Sequence, residues 1–206
     1  MIPRLHVVTD DQILARPGFR AAALQVLETG GTRVAMHVRG PHTTGRAMYR
    51  AAAELILPAR RAGAWLVVND RVDVALALGI RRVHLGARSL PAQVARHLLG
   101  PGACVGRSIH SAAEARGKDG RIDYLFAGTV FATPSHPGAT PGGTGVVRAA
   151  AAAGTVPVVG IGGITPGRVS RVIPAGAHGV AAIRAVWDAP SPGGGVRRFL
   201  NSLPRD

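Results

Sequence analysis

The chain has 206 residues, 47% of them hydrophobic, and a formal net charge of +14. This composition favours one α/β domain spanning residues 1–206, because turns rich in glycine and proline are spread along the chain and none marks a linker. No apolar run approaches the roughly 18 residues that a membrane span needs, and no signal-peptide pattern opens the chain. We therefore expect a cytoplasmic protein with no membrane partner.

The basic residues are scattered singly or in pairs such as Arg60-Arg61, and the chain has only two Trp, two Tyr and four Phe to stack bases. This distribution does not favour nucleic-acid binding. It fits a solvated basic surface or a preference for small anionic ligands. The single cysteine, Cys104, excludes an internal disulfide and a cysteine-built metal site.

Short apolar runs recur along the chain, and each is followed by a polar turn and a segment with helical spacing. The strands are predicted at 4–9, 33–38, 65–69, 82–85, 103–106, 124–128, 156–161 and 179–183. The helices are predicted at 18–28, 44–61, 71–78, 90–99, 111–116, 145–152, 166–174 and 195–203, with Ser89 capping the fourth. Eight such units predict a single (β/α)8 barrel, in which the loops that follow the strands carry the active site.

The glycine-rich turn after the seventh strand is the first candidate within that face. Gly162 and Gly163 lie between an apolar strand and a predicted helix start, where backbone N–H groups can approach an anion. Loops after strands seven and eight often bind phosphate in this fold, so Ile183 and Arg184, which follow strand eight, join the predicted phosphate site. The alternatives to a phosphate site are that Gly162 and Gly163 only form a tight turn and that Arg184 points outward.

Polar side chains lie at the ends of two other strands. Asn69 and Asp70 follow strand three, with Asp70 placed to meet a cation or orient a base, but the next loop adds no acid, so we predict no metal. His37 and Arg39 alternate with apolar residues and can both face the barrel mouth, unless His37 is a core histidine and Arg39 points outward.

Two further histidines end strands. His84 is interpreted as a hydrogen-bonded core residue. His110 follows the fifth strand together with Ser108, and it is the candidate catalyst because an imidazole near neutrality can remove and return a proton.

These segments resemble the thiamine phosphate synthase and TenI superfamily over nearly the whole chain. The resemblance is carried by residues 68–76, 83–86, 106–111, 123–128 and 160–164, which read VNDRVDVAL, VHLG, GRSIHS, DYLFAG and GIGGI. It implies a (β/α)8 barrel, consistent with the count of units. It also adds Thr133, in the loop after strand six, to the predicted substrate-binding residues.

The chain departs from the synthase pattern in three places. The motif after strand two lacks its lysine, the loop 87–89 lacks a second magnesium-binding aspartate, and His136 stands where the synthases have a lysine. His37 with Arg39, and the turn from Gly106 to Ser111, instead resemble the thiazole tautomerases. That resemblance implies a cofactor-free isomerase in which His110 moves one proton and so aromatises a carboxythiazole phosphate. Ser108 then helps to orient the ligand.

Two alternatives stay open. One is a thiamine phosphate synthase that couples hydroxymethylpyrimidine pyrophosphate to thiazole phosphate. The other is a ligand-binding or regulatory homologue without catalysis. The sequence does not fix the oligomeric state, and a homo-oligomer is compatible with it.

Overall fold

The computed structural model describes residues 1–115, 122–135, 138, 140–154 and 156–204. Eight strands lie within these ranges. They are β1 (Leu5–Val8), β2 (Val34–Val38), β3 (Trp65–Asn69), β4 (Arg82–Leu85), β5 (Cys104–Ile109), β6 (Tyr124–Ala127), β7 (Val158–Ile161) and β8 (Gly179–Ala182). Every predicted strand is present, because each is a short, mainly apolar run that is ended by a polar or glycine-containing turn.

The strands form one closed parallel barrel in sequence order. β1 closes it by pairing with β2 on one side, where Leu5 aligns with Val34, and with β8 on the other, where Leu5 aligns with Val180. Closure brings the carboxyl ends of all eight strands to one mouth. The predicted (β/α)8 barrel is therefore confirmed.

Helices cover the outside of the barrel. They are α1 (Asp11–Leu14), α2 (Phe19–Gly30), α3 (Gly45–Ala62), α4 (Val72–Ala77), α5 (Ala92–Leu99), α6 (Ala112–Ala115), α7 (Gly143–Ala153), α8 (Val169–Val172), α9 (Arg184–Trp187) and α10 (Pro192–Ser202). Short 3-10 helices lie at Gly31–Arg33, Pro166–Arg168 and Ile173–Ala175. No helix in the described ranges is long and apolar enough to cross a membrane.

The side chains of each strand alternate between two cores. The outer layer, between strands and helices, is apolar and includes Leu5, Val7 and Phe199. The barrel interior holds a small apolar cluster of Val8, Tyr124, Phe126, Val159 and Ala181. It also holds most of the buried polar side chains of the described chain, which include His6, His37, Asn69 and His84. Hydrogen-bonding side chains therefore lie directly beneath the mouth of the barrel, and we call His6, His37, Asn69 and His84 the polar floor.

Several details differ from the sequence prediction. β5 continues to Ile109 because Ser108 and Ile109 pair with Phe126 and Ala127 of β6, so Ser108 lies in the strand and not in a turn. α5 begins at Ala92 without a side-chain cap, because the Ser89 hydroxyl bonds Asp70. The predicted helix at 166–174 is a single turn of α8 between two 3-10 segments. The end of the helix predicted at 111–116 lies outside the described residues.

Candidate functional site

A cavity of about 990 Å³ opens at the carboxyl ends of the strands. The predicted site residues that line it are Arg39, Asn69, Asp70, Ser108, His110, Thr133, Gly162, Gly163, Ile183 and Arg184. They come from loops or strand ends at six of the eight strands. Barrel closure thus brings together residues up to 145 positions apart, as between Arg39 and Arg184.

His110 is exposed to this cavity directly after β5. Its Nδ1 lies 2.9 Å from the carbonyl oxygen of Gly128, the residue that follows β6. A carbonyl oxygen only accepts, so the neutral ring carries its hydrogen on Nδ1 and leaves the Nε2 lone pair unprotonated. The backbone N–H of His110 donates to Glu114, which also accepts from Ser111 and so fixes the turn.

The glycine turn after β7 reaches the same cavity from the other side. Gly162 and Gly163 have φ values of 103° and 60°, which glycine adopts without strain. A Cβ on Gly162 would lie 2.6 Å from the Thr129 methyl carbon. The segment that follows is a 3-10 turn, so the predicted contribution of a helix dipole is small. Any anion binding here depends on backbone N–H groups and nearby cations.

Arg168 is the cation that lies against this turn, and the sequence prediction missed it. Its guanidinium donates to the carbonyl oxygen of Gly163 at 2.6 Å and lies 4.8 Å above the Phe131 ring. Arg184, the predicted phosphate ligand, donates instead to Asp10 and Gln12 at 2.8 and 2.7 Å. Arg184 lines the cavity, but its charge is already partly neutralised by a carboxylate.

The loop after β3 supplies one carboxylate. Asp70 has a positive φ of 62°, and its Oδ1 accepts from Gly86 N–H at 2.8 Å and from the Ser89 hydroxyl. The described residues contain no group of three His, Cys, Asp or Glu side chains that could hold a metal. Magnesium bound with a pyrophosphate uses one or two carboxylates together with the phosphates of the substrate, and Asp70 is the carboxylate that this loop supplies.

Two arginines at the cavity have guanidinium groups without a hydrogen-bond or ion-pair partner in the described ranges. The Arg39 and Arg88 side chains both line the cavity and make no hydrogen bond or ion pair with a described residue. Arg39 follows β2, where its backbone N–H is held by the Thr9 hydroxyl at 2.8 Å. A guanidinium with unused donors suits a carboxylate or phosphate of a ligand.

His37 requires a correction. It is fully buried and lies beneath the cavity, where its Nε2 is 2.9 Å from His6 Nδ1 and its Nδ1 is 2.8 Å from the Asn69 amide. Both ring nitrogens are therefore used inside the protein. Burial lowers the pKa of His37 to about 4. His37 contacts Asn69 and is not among the described residues that line the cavity.

His84 is the core histidine that the sequence predicts. It is 2% exposed, its Nε2 lies 2.9 Å from Ser108 Oγ, and its Nδ1 lies 3.3 Å from the Tyr124 hydroxyl. Burial is the largest cause that lowers the pKa of His84, followed by the charges of His37 and His6. A neutral His84 thus holds the Ser108 hydroxyl at the cavity wall.

Sequence reasoning also missed His6 and Tyr124. Both sit inside short apolar strands, where one polar residue gives no signal beyond its alternation with inward-facing neighbours. Thr133 is described and lines the cavity, where its hydroxyl accepts from Ser135 N–H at 3.3 Å. His136 lies outside the described residues.

A parallel (β/α)8 barrel with an arginine-lined mouth and a glycine turn after strand seven defines a class of barrel proteins that bind small anionic ligands. Comparison with known proteins is more specific. The profile of the TMP-TENI family, described as thiamine monophosphate synthase, matches residues 5–186. The chain belongs to this family, and with it to thiamine biosynthesis.

Individual relatives agree with that assignment. The thiamine-phosphate synthase of Laribacter hongkongensis is 37% identical over 97% of this chain and 94% of its own length. The thiamine biosynthesis bifunctional protein ThiM/ThiE of Symbiobacterium thermophilum is 52% identical over 77% of this chain, which spans only 34% of that relative. The structure of the thiamine phosphate pyrophosphorylase from Pyrococcus furiosus superposes with a TM-score of 0.82 at 32% identity, covering 97% of this chain and 94% of that one.

Proposed function

We propose that the cavity binds a thiazole phosphate and that His110 isomerises it by moving one proton. The observation that carries this proposal is the contact between His110 Nδ1 and the Gly128 carbonyl oxygen, at 2.9 Å. It leaves Nε2, on the exposed edge of the ring, as a proton acceptor. A base held in one tautomer at a ligand cavity is what proton abstraction from carbon requires.

The proposed substrate is a carboxythiazole phosphate with an exocyclic double bond. Nε2 of His110 takes the proton from the ring carbon, and the electron pair of that C–H bond forms the new ring double bond. His110 Nε2 then gives the same proton to the side-chain carbon, which binds it with the electron pair of the exocyclic double bond. Atoms and charge balance, and the ring becomes aromatic without a cofactor or a metal.

The other groups at the mouth would hold this substrate at both ends. The glycine turn and Arg168 are placed for the phosphate, with Ile183 and Arg184 at the same edge. Arg39 is placed for the carboxylate because its guanidinium has no protein partner in the described ranges. Ser108, held by His84, lies one residue from the strand end that presents His110.

The coupling reaction of a thiamine-phosphate synthase is the second candidate, and the names of the relatives support it more than they support a tautomerase. The cavity of about 990 Å³ lies at the upper end of the range for ligand sites, which leaves room for a second substrate. Arg39 and Arg88 could neutralise a leaving pyrophosphate in place of lysines. The weaker point of this candidate is its carboxylates: Asp70 and Asp188 line the cavity, and Asp188 is already paired with Arg16 and Arg184.

The deciding experiment supplies each substrate set to the purified protein. Isomerisation of the exocyclic carboxythiazole phosphate that persists in a chelator, with no coupling of hydroxymethylpyrimidine pyrophosphate in magnesium, supports the tautomerase. Magnesium-dependent coupling without isomerisation supports the synthase. Thermal stabilisation by the thiazole phosphate without any turnover supports a ligand-binding homologue.

For the tautomerase, His110→Ala is expected to lower kcat about 10²- to 10⁴-fold, the usual contribution of a general acid or base. The matched control is His97→Ala, since His97 is exposed on α5. It should isomerise like wild type. Equal rates in wild type and His110→Ala would exclude His110 as the proton carrier.

A further inference from the structure

Two of the buried histidines form a hydrogen-bonded chain that the proposed proton transfer does not use. His6 Nε2 lies 3.0 Å from the Pro3 carbonyl oxygen, and His6 Nδ1 lies 2.9 Å from His37 Nε2. His37 Nδ1 then lies 2.8 Å from the side-chain amide of Asn69. The chain runs through the barrel interior and ends at Asn69, which lines the cavity.

The Pro3 carbonyl oxygen determines which atom donates and which accepts in each of these hydrogen bonds. A carbonyl oxygen only accepts, so His6 Nε2 carries the hydrogen. A neutral His6 then has no hydrogen on Nδ1, and His37 must donate to it from Nε2. A neutral His37 is left with an unprotonated Nδ1, which needs a donor from Asn69.

Both rings are neutral at pH 7. Burial lowers the pKa of His6 well below 6.5, with the nearby His37 as the next cause, and it lowers the pKa of His37 to about 4. The amide atom 2.8 Å from His37 Nδ1 is Oδ1, an acceptor facing an acceptor. Rotating the Asn69 side-chain amide by 180° exchanges Oδ1 for the NH₂ group, which can then donate to His37 Nδ1. The hydrogen-bond partners decide which of these two amide orientations is correct.

We infer that the hydrogen bonds from Pro3 through His6 and His37 orient the Asn69 amide so that its oxygen faces the ligand cavity. Asn69 then determines specificity by accepting a hydrogen bond from the ligand. Its outer amide atom has no partner among the described residues, which leaves it available. For the ligand class this inference rests on the proposed function: the matching donor is an N–H, such as that of a protonated dihydrothiazole ring nitrogen.

Nitrogen NMR of the histidine rings in the unliganded wild-type protein tests the direction of the chain. We expect both His6 and His37 to carry one hydrogen, on Nε2, at pH 7. In Asn69→Asp the carboxylate can only accept, so His37 should become doubly protonated, while in Asn69→Leu it should stay neutral. A hydrogen on His37 Nδ1 in the wild type would overturn the inference, whether or not any variant folds.

Kinetics tests the consequence for the ligand. His6→Phe removes the acceptor for His37 and frees the Asn69 amide, so KM for the carboxythiazole phosphate should rise about 3- to 10-fold, the cost of one hydrogen bond, with kcat less affected. The control is His178→Phe, because His178 also bonds a backbone carbonyl, that of Ile2 at 2.8 Å, but does not reach Asn69. The same KM in both variants would overturn the inference.

If the wild-type protein does not isomerise the substrate, the dissociation constant of thiazole phosphate replaces KM in this comparison. The NMR result is independent of turnover, so failure of the proposed function and failure of this inference remain distinguishable. Inorganic phosphate serves as a second probe, since it lacks the ring. Its affinity should be the same in wild type, His6→Phe and His178→Phe, and a loss confined to His6→Phe would mean that His6 acts on the phosphate site instead.

Discussion

The outer layer and the interior of this barrel are made from alternate residues of the same strands, yet they differ in chemistry. On β1, Leu5 and Val7 belong to the outer layer, whereas His6 and Val8 face the interior. The outer layer gains stability from apolar area removed from water. The interior instead satisfies buried polar groups through hydrogen bonds, which contribute little net stability but are costly to break.

This division lets one sheet serve two purposes. Apolar packing fixes the strands, while the polar interior fixes the orientation of the side chains directly beneath the ligand. Asn69 and Ser108 each rest on a buried histidine, at 2.8 and 2.9 Å. Substitutions in the two regions should therefore separate stability from ligand recognition.

The largest effect is expected in the outer layer. Phe199 on α10 is fully buried, so Phe199→Ala should lower the free energy of unfolding by about 3–5 kcal/mol through lost burial and a new cavity. KM for the substrate should not change, because α10 lies outside the barrel. Urea unfolding measures the first quantity. Leu57→Ala, at a position 60% exposed, is the control and should differ from wild type by less than about 0.5 kcal/mol.

The pH dependence of stability should report on the interior. The pKa of His37 is about 4 in the folded protein and 6.5 in an unfolded chain, so the unfolded state binds more protons between these values. The contribution of His37 to the free energy of unfolding is therefore fully present above pH 6.5, and it falls by about 3 kcal/mol as the pH drops to 4, at 1.36 kcal/mol per pKa unit.

The variant that isolates this contribution is His37→Gln, whose neutral amide can donate to His6 and accept from Asn69. Its unfolding free energy should fall less steeply over the same interval, with the remaining slope due to His6 and His84. Parallel curves for wild type and variant would show that His37 is not the buried base that the structure indicates.

The strands and the mouth of the barrel could be predicted because their signals are local. Each strand is a short, mainly apolar run before a polar or glycine-containing turn, and barrel order then assigns the loops to one face. The four-residue helices α1 and α9 were missed, since four residues show no helical period. Gly162 and Gly163 were predicted from their position after strand seven in barrel order, and both line the cavity.

The interior could not be predicted in the same way, because its contacts join side chains of different strands. His6 reads as a single polar residue in an apolar run, and the pairing of β1 with β2 brings its Nδ1 within 2.9 Å of His37 Nε2. Likewise, Arg184 and Arg168 both follow late strands, and sequence favoured Arg184. The structure shows Arg184 bound to Asp10, while Arg168 lies against the glycine turn.

The smallest effect expected is that of a single hydroxyl in the interior. Tyr124→Phe keeps the ring beside His84 and Phe126 but removes the hydroxyl 3.3 Å from His84 Nδ1. We expect a loss of about 1 kcal/mol in unfolding free energy, because a buried ring nitrogen is left without a partner. Tyr49→Phe, on the exposed side of α3, is the matched control. If both variants match wild type, the interior hydrogen bonds add no stability, and the polar floor then serves only to position Ser108 and Asn69.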